Sequence, residues 1–80
     1  MYKNKNGQFN NISGKKIKEY RQSYPEKLSQ KGLADKMQLV GLDIDKNAIQ
    51  RIESGQRFVT DIELKKFAAI FGVSTDDLLS

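Results

Sequence analysis

The 80-residue sequence contains no cysteine and no histidine. The first absence excludes disulfide staples, and together they leave only carboxylates as side-chain ligands for a structural metal. No apolar run approaches the roughly 18 residues that span a bilayer, and the opening stretch MYKNKNGQFN lacks the apolar centre of a secretory signal. The chain is therefore expected to be cytoplasmic, with no membrane partner. A glycine-rich phosphate loop is also missing, and the carboxylates lie among lysines at ordinary surface spacings. Without His or Cys to serve as base or nucleophile, the sequence does not read as an enzyme and implies no cofactor and no metal. Internal repeats and low-complexity tracts are lacking too. What remains is a chain short enough for one domain, held by apolar packing and by well-formed helix ends.

Fourteen Lys and Arg stand against ten Asp and Glu, a net charge of +4. The distribution is uneven: residues 1–27 hold seven basic and two acidic side chains, residues 28–80 seven and eight. A front-loaded positive charge suits a polyanionic partner on one side, and equally suits a solvated basic tail.

Residues 1–12 are polar and lack periodicity, and they read as a flexible arm ahead of a domain spanning 13–80. From Ser13, the residues Ile17, Tyr20, Arg21 and Tyr24 recur at spacings of three and four. They mark one face of a first helix that must stop before Pro25. Ser29 fits the N-cap of a second helix, with Leu28 and Leu33 as a staple and Leu33, Ala34, Met37 and Val40 as its buried stripe.

The stretch 37-MQLVGLDIDKNAI-49 that follows alternates like a short β-strand, but helix-end chemistry explains it better. Gly41 suits the left-handed position beyond a helix end, with Leu42 folding back on Met37. Asp45 caps a third helix, Ile44 staples to Ile49, Ala48, Ile49 and Ile52 point inward, and Gly55 ends the helix. Thr60 and Glu63 form a capping box for a fourth helix carrying Leu64, Phe67, Ala68 and Phe71, closed by Gly72. Ser74, with Asp76 and Asp77 in the first turn, opens a short fifth helix bearing Leu78 and Leu79. The sequence thus predicts a compact all-α, five-helix domain.

On the third helix the inward set leaves Lys46, Asn47, Gln50 and Arg51 facing out. Arg and Lys match the acceptors of guanine, and Asn and Gln match the donor and acceptor of adenine, in a major groove wide enough for one α-helix. The same four residues would also serve as an ordinary solvated helix face.

A resemblance weighs between these readings. The pieces 17-IKEYR-21, 28-LSQKGLADKM-37, 48-AIQRIESGQR-57 and 64-LKKFAAIFGVSTDDLL-79, in this order, make the chain similar to the XRE family of phage-repressor-like helix-turn-helix regulators. The resemblance implies sequence-specific binding of double-stranded DNA by a transcriptional regulator, a repressor, with a recognition helix over about 45–54 in the major groove. By position it implies base contacts from Lys46, Asn47 and Arg51, and phosphate contacts from Gln30, Ser54, Gln56 and Arg57. It also implies a structural ion pair of Arg21 with Glu53, and a homodimer on a palindromic operator. The sequence departs from its relatives between Ala34 and Ile49, which are fifteen steps apart, five more than in similar proteins. The turn between helices two and three is therefore expected to be lengthened, with Asp43 and Asp45 bringing negative charge near the DNA surface. An alternative is a protein-interaction module of the same fold, an antitoxin-like or anti-regulator partner, using Phe58, Ile70, Leu78 and Leu79 as an exposed interface.

Overall fold

The computed structural model describes residues 10–25 and 27–80; of the arm expected over residues 1–12, residues 1–9 lie outside them. Five α-helices occur among the described residues: α1 (Gly14–Ser23), α2 (Gln30–Leu39), α3 (Lys46–Glu53), α4 (Asp61–Phe71) and α5 (Thr75–Leu79). None of them is long and apolar enough to cross a membrane.

Local chemistry explains most of their ends. The first four N–H groups of a helix lack intrahelical partners, so an oxygen placed just ahead of them stabilises the start. Ser29 accepts from Gly32 N, Asp45 from Ala48 N, Thr60 from Glu63 N and Ser74 from Asp77 N. Thr60 with Glu63 and Ser74 with Asp77 are complete capping boxes. At the other ends α2, α3 and α4 close in the same way. After α2, Gly41 N donates to Gln38 O at 3.0 Å and Leu42 N to Met37 O at 3.0 Å, the paired bonds of a Schellman closure, with Gly41 at φ +94°. The alternation in MQLVGLDID is thus the exit of one helix and the entry of the next. No strand forms among the described residues.

These ends direct ten apolar side chains into one core. Ile17, Leu33, Met37, Ile49, Ile52, Phe67 and Leu78 are wholly excluded from water, with Ala34, Ile44 and Ala68 nearly so. Tyr20 and Phe67 lie roughly parallel to Phe71, with centroids at 5.6 and 6.5 Å, and Tyr24 meets Phe71 edge-on at 6.4 Å. Offset and edge-to-face aromatic pairs of this kind fasten the end of α1 to α4.

Three expectations are corrected. Val40, assigned to the buried stripe of α2, is 41% exposed, because α2 ends at Leu39 and Val40 is its C-cap. Leu78, offered as part of an exposed interface, is fully buried, and Ile70 is half-buried against the core; only Phe58 and Leu79 of that set are well exposed. Five residues of α5 cannot hold a helix by themselves, so Leu78 anchors it. Residues 10 and 11, expected within the flexible arm, are fixed by hydrogen bonds: Asn10 N donates to Gly55 O at 2.7 Å, and Asn11 Nδ2 to Arg57 O at 2.7 Å.

Candidate nucleic-acid interface

The third helix is sharply two-sided. Ile49 and Ile52 are sealed beneath it, while Lys46, Asn47, Gln50 and Arg51 are exposed on its outer side. Helix α2 packs directly on α3. The turn between them, Val40 to Asp45, is fixed at both ends. Gln38 Nε2 donates to Ile44 O at 3.1 Å, Ile44 is buried, and the Asp45 carboxylate accepts from Ala48 N at 2.8 Å. These contacts hold the start of α3 across the connection from Leu39 to Lys46. Asp43 and Asp45 are both exposed there, and the Asp45 charge is partly offset by the helix N-terminus it caps.

The far end of α3 is held by charge. Arg21 Nε donates to Glu53 Oε2 at 2.6 Å and Arg21 Nη2 to Glu53 Oε1 at 3.0 Å, a two-pronged pair linking α1 to α3. The Glu53 side chain is only 3% exposed and that of Arg21 11%. Arg21 Nη1 also donates to Leu28 O at 3.0 Å, and Gln30 Nε2 to Glu53 Oε1 at 3.1 Å. Gln30, expected at a phosphate, thus shares its amide with this network at the start of α2; one amide hydrogen and its carbonyl remain for another partner.

Beyond Glu53, four successive backbone N–H groups turn back onto the helix. Ser54 N donates to Gln50 O, Gly55 N to Ile52 O, and both Gln56 N and Arg57 N to Arg51 O. Any phosphate contact in this loop must therefore come from side chains. Ser54 and Gln56 are exposed, the Ser54 hydroxyl donating to Arg51 O at 3.2 Å. Arg57 is engaged differently from the expectation. Its Nη1 and Nη2 fork onto Glu63 at 2.9 and 3.0 Å, and Nη1 also reaches Phe58 O at 3.1 Å. The guanidinium has five donors, so two N–H groups stay free while the fork ties the loop to α4.

The fork is not legible in the sequence, where Glu63 stands out only as the capping partner of Thr60; a carboxylate has oxygens enough for both. Asn11 leaves a fainter trace, since it lies two residues ahead of the N-cap Ser13, whose own side chain makes no cap bond; its Oδ1 instead accepts from Gly14 N, the first residue of α1, at 2.7 Å.

Burial pushes the Glu63 carboxyl up, but the Arg57 fork and the Thr60 backbone N–H pull it further down, leaving it below the ordinary glutamate value. Arg57 is raised in turn by its bond to Glu63. A carboxyl lowered on folding adds stability that is fully present at neutral pH. That stability is lost as pH falls from the unfolded value of about 4.3 through the folded one. We expect Glu63→Gln to melt lower than wild type at pH 7, and the gap to close as the pH is taken below about 4. Melting curves that stay equally far apart across that range would contradict the assignment.

A family model described as helix-turn-helix matches residues 17–78, from the buried Ile17 of α1 to the buried Leu78 of α5. No curated protein and no solved structure matches the chain. The match takes in the whole α2–turn–α3 unit and the helices that brace it, and the chain accordingly belongs to the helix-turn-helix family of the XRE and phage-repressor type, a family of DNA-binding regulators.

Proposed function

We propose that the protein is a sequence-specific transcriptional repressor that lays α3 in the major groove of its operator. The observation that carries this reading is the outer face of α3: four polar side chains able to address base edges, on a helix whose inner face is sealed and whose two ends are fixed. A reading helix has to be rigid, because a side chain that shifts by an ångström loses the bidentate geometry that separates one base from another. Lys46, Asn47 and Arg51 take the base contacts. Gln30 at the start of α2, and Ser54, Gln56 and the free edge of Arg57 beyond α3, take phosphates on either side and set the register without reading sequence. Two copies on a palindromic operator, about one helical turn apart, would double the site read.

The test is a mobility-shift titration combined with selection of bound sequences from a random duplex library. Affinity should fall steeply with salt, by about 0.9 in log K per log unit of salt for each phosphate neutralised. Lys46→Ala and Arg51→Ala should each relax preference at particular base pairs, by roughly tenfold or more in discrimination. Arg57→Ala should weaken all sequences alike. A folded domain that fails to bind duplex at low salt would overturn the proposal.

A further inference from the structure

The loop that follows α3 owes its shape to two residues ahead of α1. Asn11 Nδ2 donates to Ile52 O at 3.1 Å and to Arg57 O at 2.7 Å, so a single amide group spans the last turn of α3 and the loop beyond it. Between those points, Asn10 N donates to Gly55 O at 2.7 Å and Asn10 Nδ2 to Gln56 O at 2.8 Å. Four carbonyls of the loop and helix end thus accept from residues 10 and 11. With those carbonyls held inward, and the backbone N–H groups of residues 54–57 spent on α3, the exposed side chains of Ser54 and Gln56 are what the loop offers to the solvent. Asn11 is itself fixed from the other side, because its Oδ1 accepts from Gly14 N at 2.7 Å. One side chain therefore sets the distance between the start of α1 and the proposed phosphate loop.

The geometry points to Asn11 as a positioning residue for DNA binding. It touches no DNA, but it holds Ser54, Gln56 and Arg57 in the register at which they meet phosphate. This inference rests on the DNA-binding reading above and adds to it the residue that shapes the backbone-contacting loop. Asn11 also separates two jobs by atom, which makes the role testable. Its oxygen caps α1, whereas its nitrogen clamps the loop. Asn11→Asp keeps an acceptor for Gly14 N but removes both donors and sets a carboxylate oxygen against two carbonyls. Asn11→Ser keeps a capping hydroxyl without the charge and without the reach to the loop.

Duplex binding of wild type and both variants should be titrated against salt, at a temperature where circular dichroism reports each of them fully folded. The expected result is an affinity lowered about tenfold in both variants. The salt slope should fall by about 0.9, the loss of one phosphate contact, with the ranking of base preferences unchanged. A purely structural role would lower the melting temperature alone. A folded Asn11→Ser protein with wild-type affinity and slope would overturn the inference, as would altered base preference, which would place the effect in α3. Should Asn11→Asp fail to fold, the Ser variant decides alone. Absence of salt-dependent duplex binding by the wild type would instead remove the DNA-binding reading, and that arm is read before any variant.

Discussion

Glu53→Ala is expected to lower the unfolding free energy by about 3 to 5 kcal/mol, the cost of leaving one partner of a buried pair alone. For a domain of this size that corresponds to a fall in melting temperature on the order of 12 °C or more. The reason is the company Arg21 keeps. Its side chain is 11% exposed, and its guanidinium makes three hydrogen bonds, two of them to Glu53 and one to Leu28 O. Without Glu53, a charge that cannot be neutralised stays in a poorly hydrated place with one neutral acceptor, and Gln30 Nε2 loses its partner as well. Replacing both ends with apolar residues, Arg21→Met with Glu53→Leu, should recover most of the loss, because the desolvation of the charges disappears along with their attraction. Thermal unfolding followed by circular dichroism reads both outcomes. A Glu53→Ala protein that melts within the scatter of ordinary surface variants would show that the pair carries no such load.

Gly14→Ala is the second large effect, and its sign runs against helix propensity. Alanine is favoured over glycine inside a helix by about 1 kcal/mol, so from local sequence the change should stabilise α1. In the folded chain, however, a Cβ on Gly14 would lie 2.0 Å from Ile52 O and 2.8 Å from Asn11 Oδ1. The Ile52 carbonyl cannot retreat easily, since it is backbone at the end of α3 and already accepts from Gly55 N and Asn11 Nδ2. Moving it means parting α1 from α3, and overpacking of this kind costs about 1 to 3 kcal/mol, sometimes more. A net destabilisation of about 2 kcal/mol is expected. Gly32→Ala provides the control. Its Cβ would meet Leu28 Cδ1 at 3.0 Å, the far end of a flexible side chain, and Ser29 Oγ at 3.2 Å, and no backbone atom stands in its way. That variant should melt within a few degrees of wild type. A Gly14→Ala protein as stable as wild type would show that the α1–α3 contact is softer than its geometry implies.

The two substitutions also mark what could be read from the sequence. The Glu53 pairing is implied by resemblance to similar proteins, and Thr60 with Glu63 is a capping box visible in four consecutive residues. The intolerance of Gly14 is invisible in the chain, because the atom it would strike belongs to a residue 38 positions later in α3. Leu78 gives the same lesson in the opposite direction. At the tail of a polar segment it looks available for a partner, yet α5 folds back and buries it completely.

By itself, then, the sequence determined where helices start and stop. Caps, staples and left-handed glycines act over three to six residues, and their partners lie next to them in the chain. It likewise determined which face of α3 is polar, since a 3.6-residue period is a local property. The tertiary structure alone decided what each polar group does once the helices meet. It gave Arg57 to Glu63 and half of the Gln30 amide to Glu53, and it set Asn11 across 41 and 46 residues to clamp the end of α3. Those choices follow from competition among donors and acceptors brought together by the burial of Ile17, Ile49, Ile52 and Phe67. No window of sequence contains both sides of that competition.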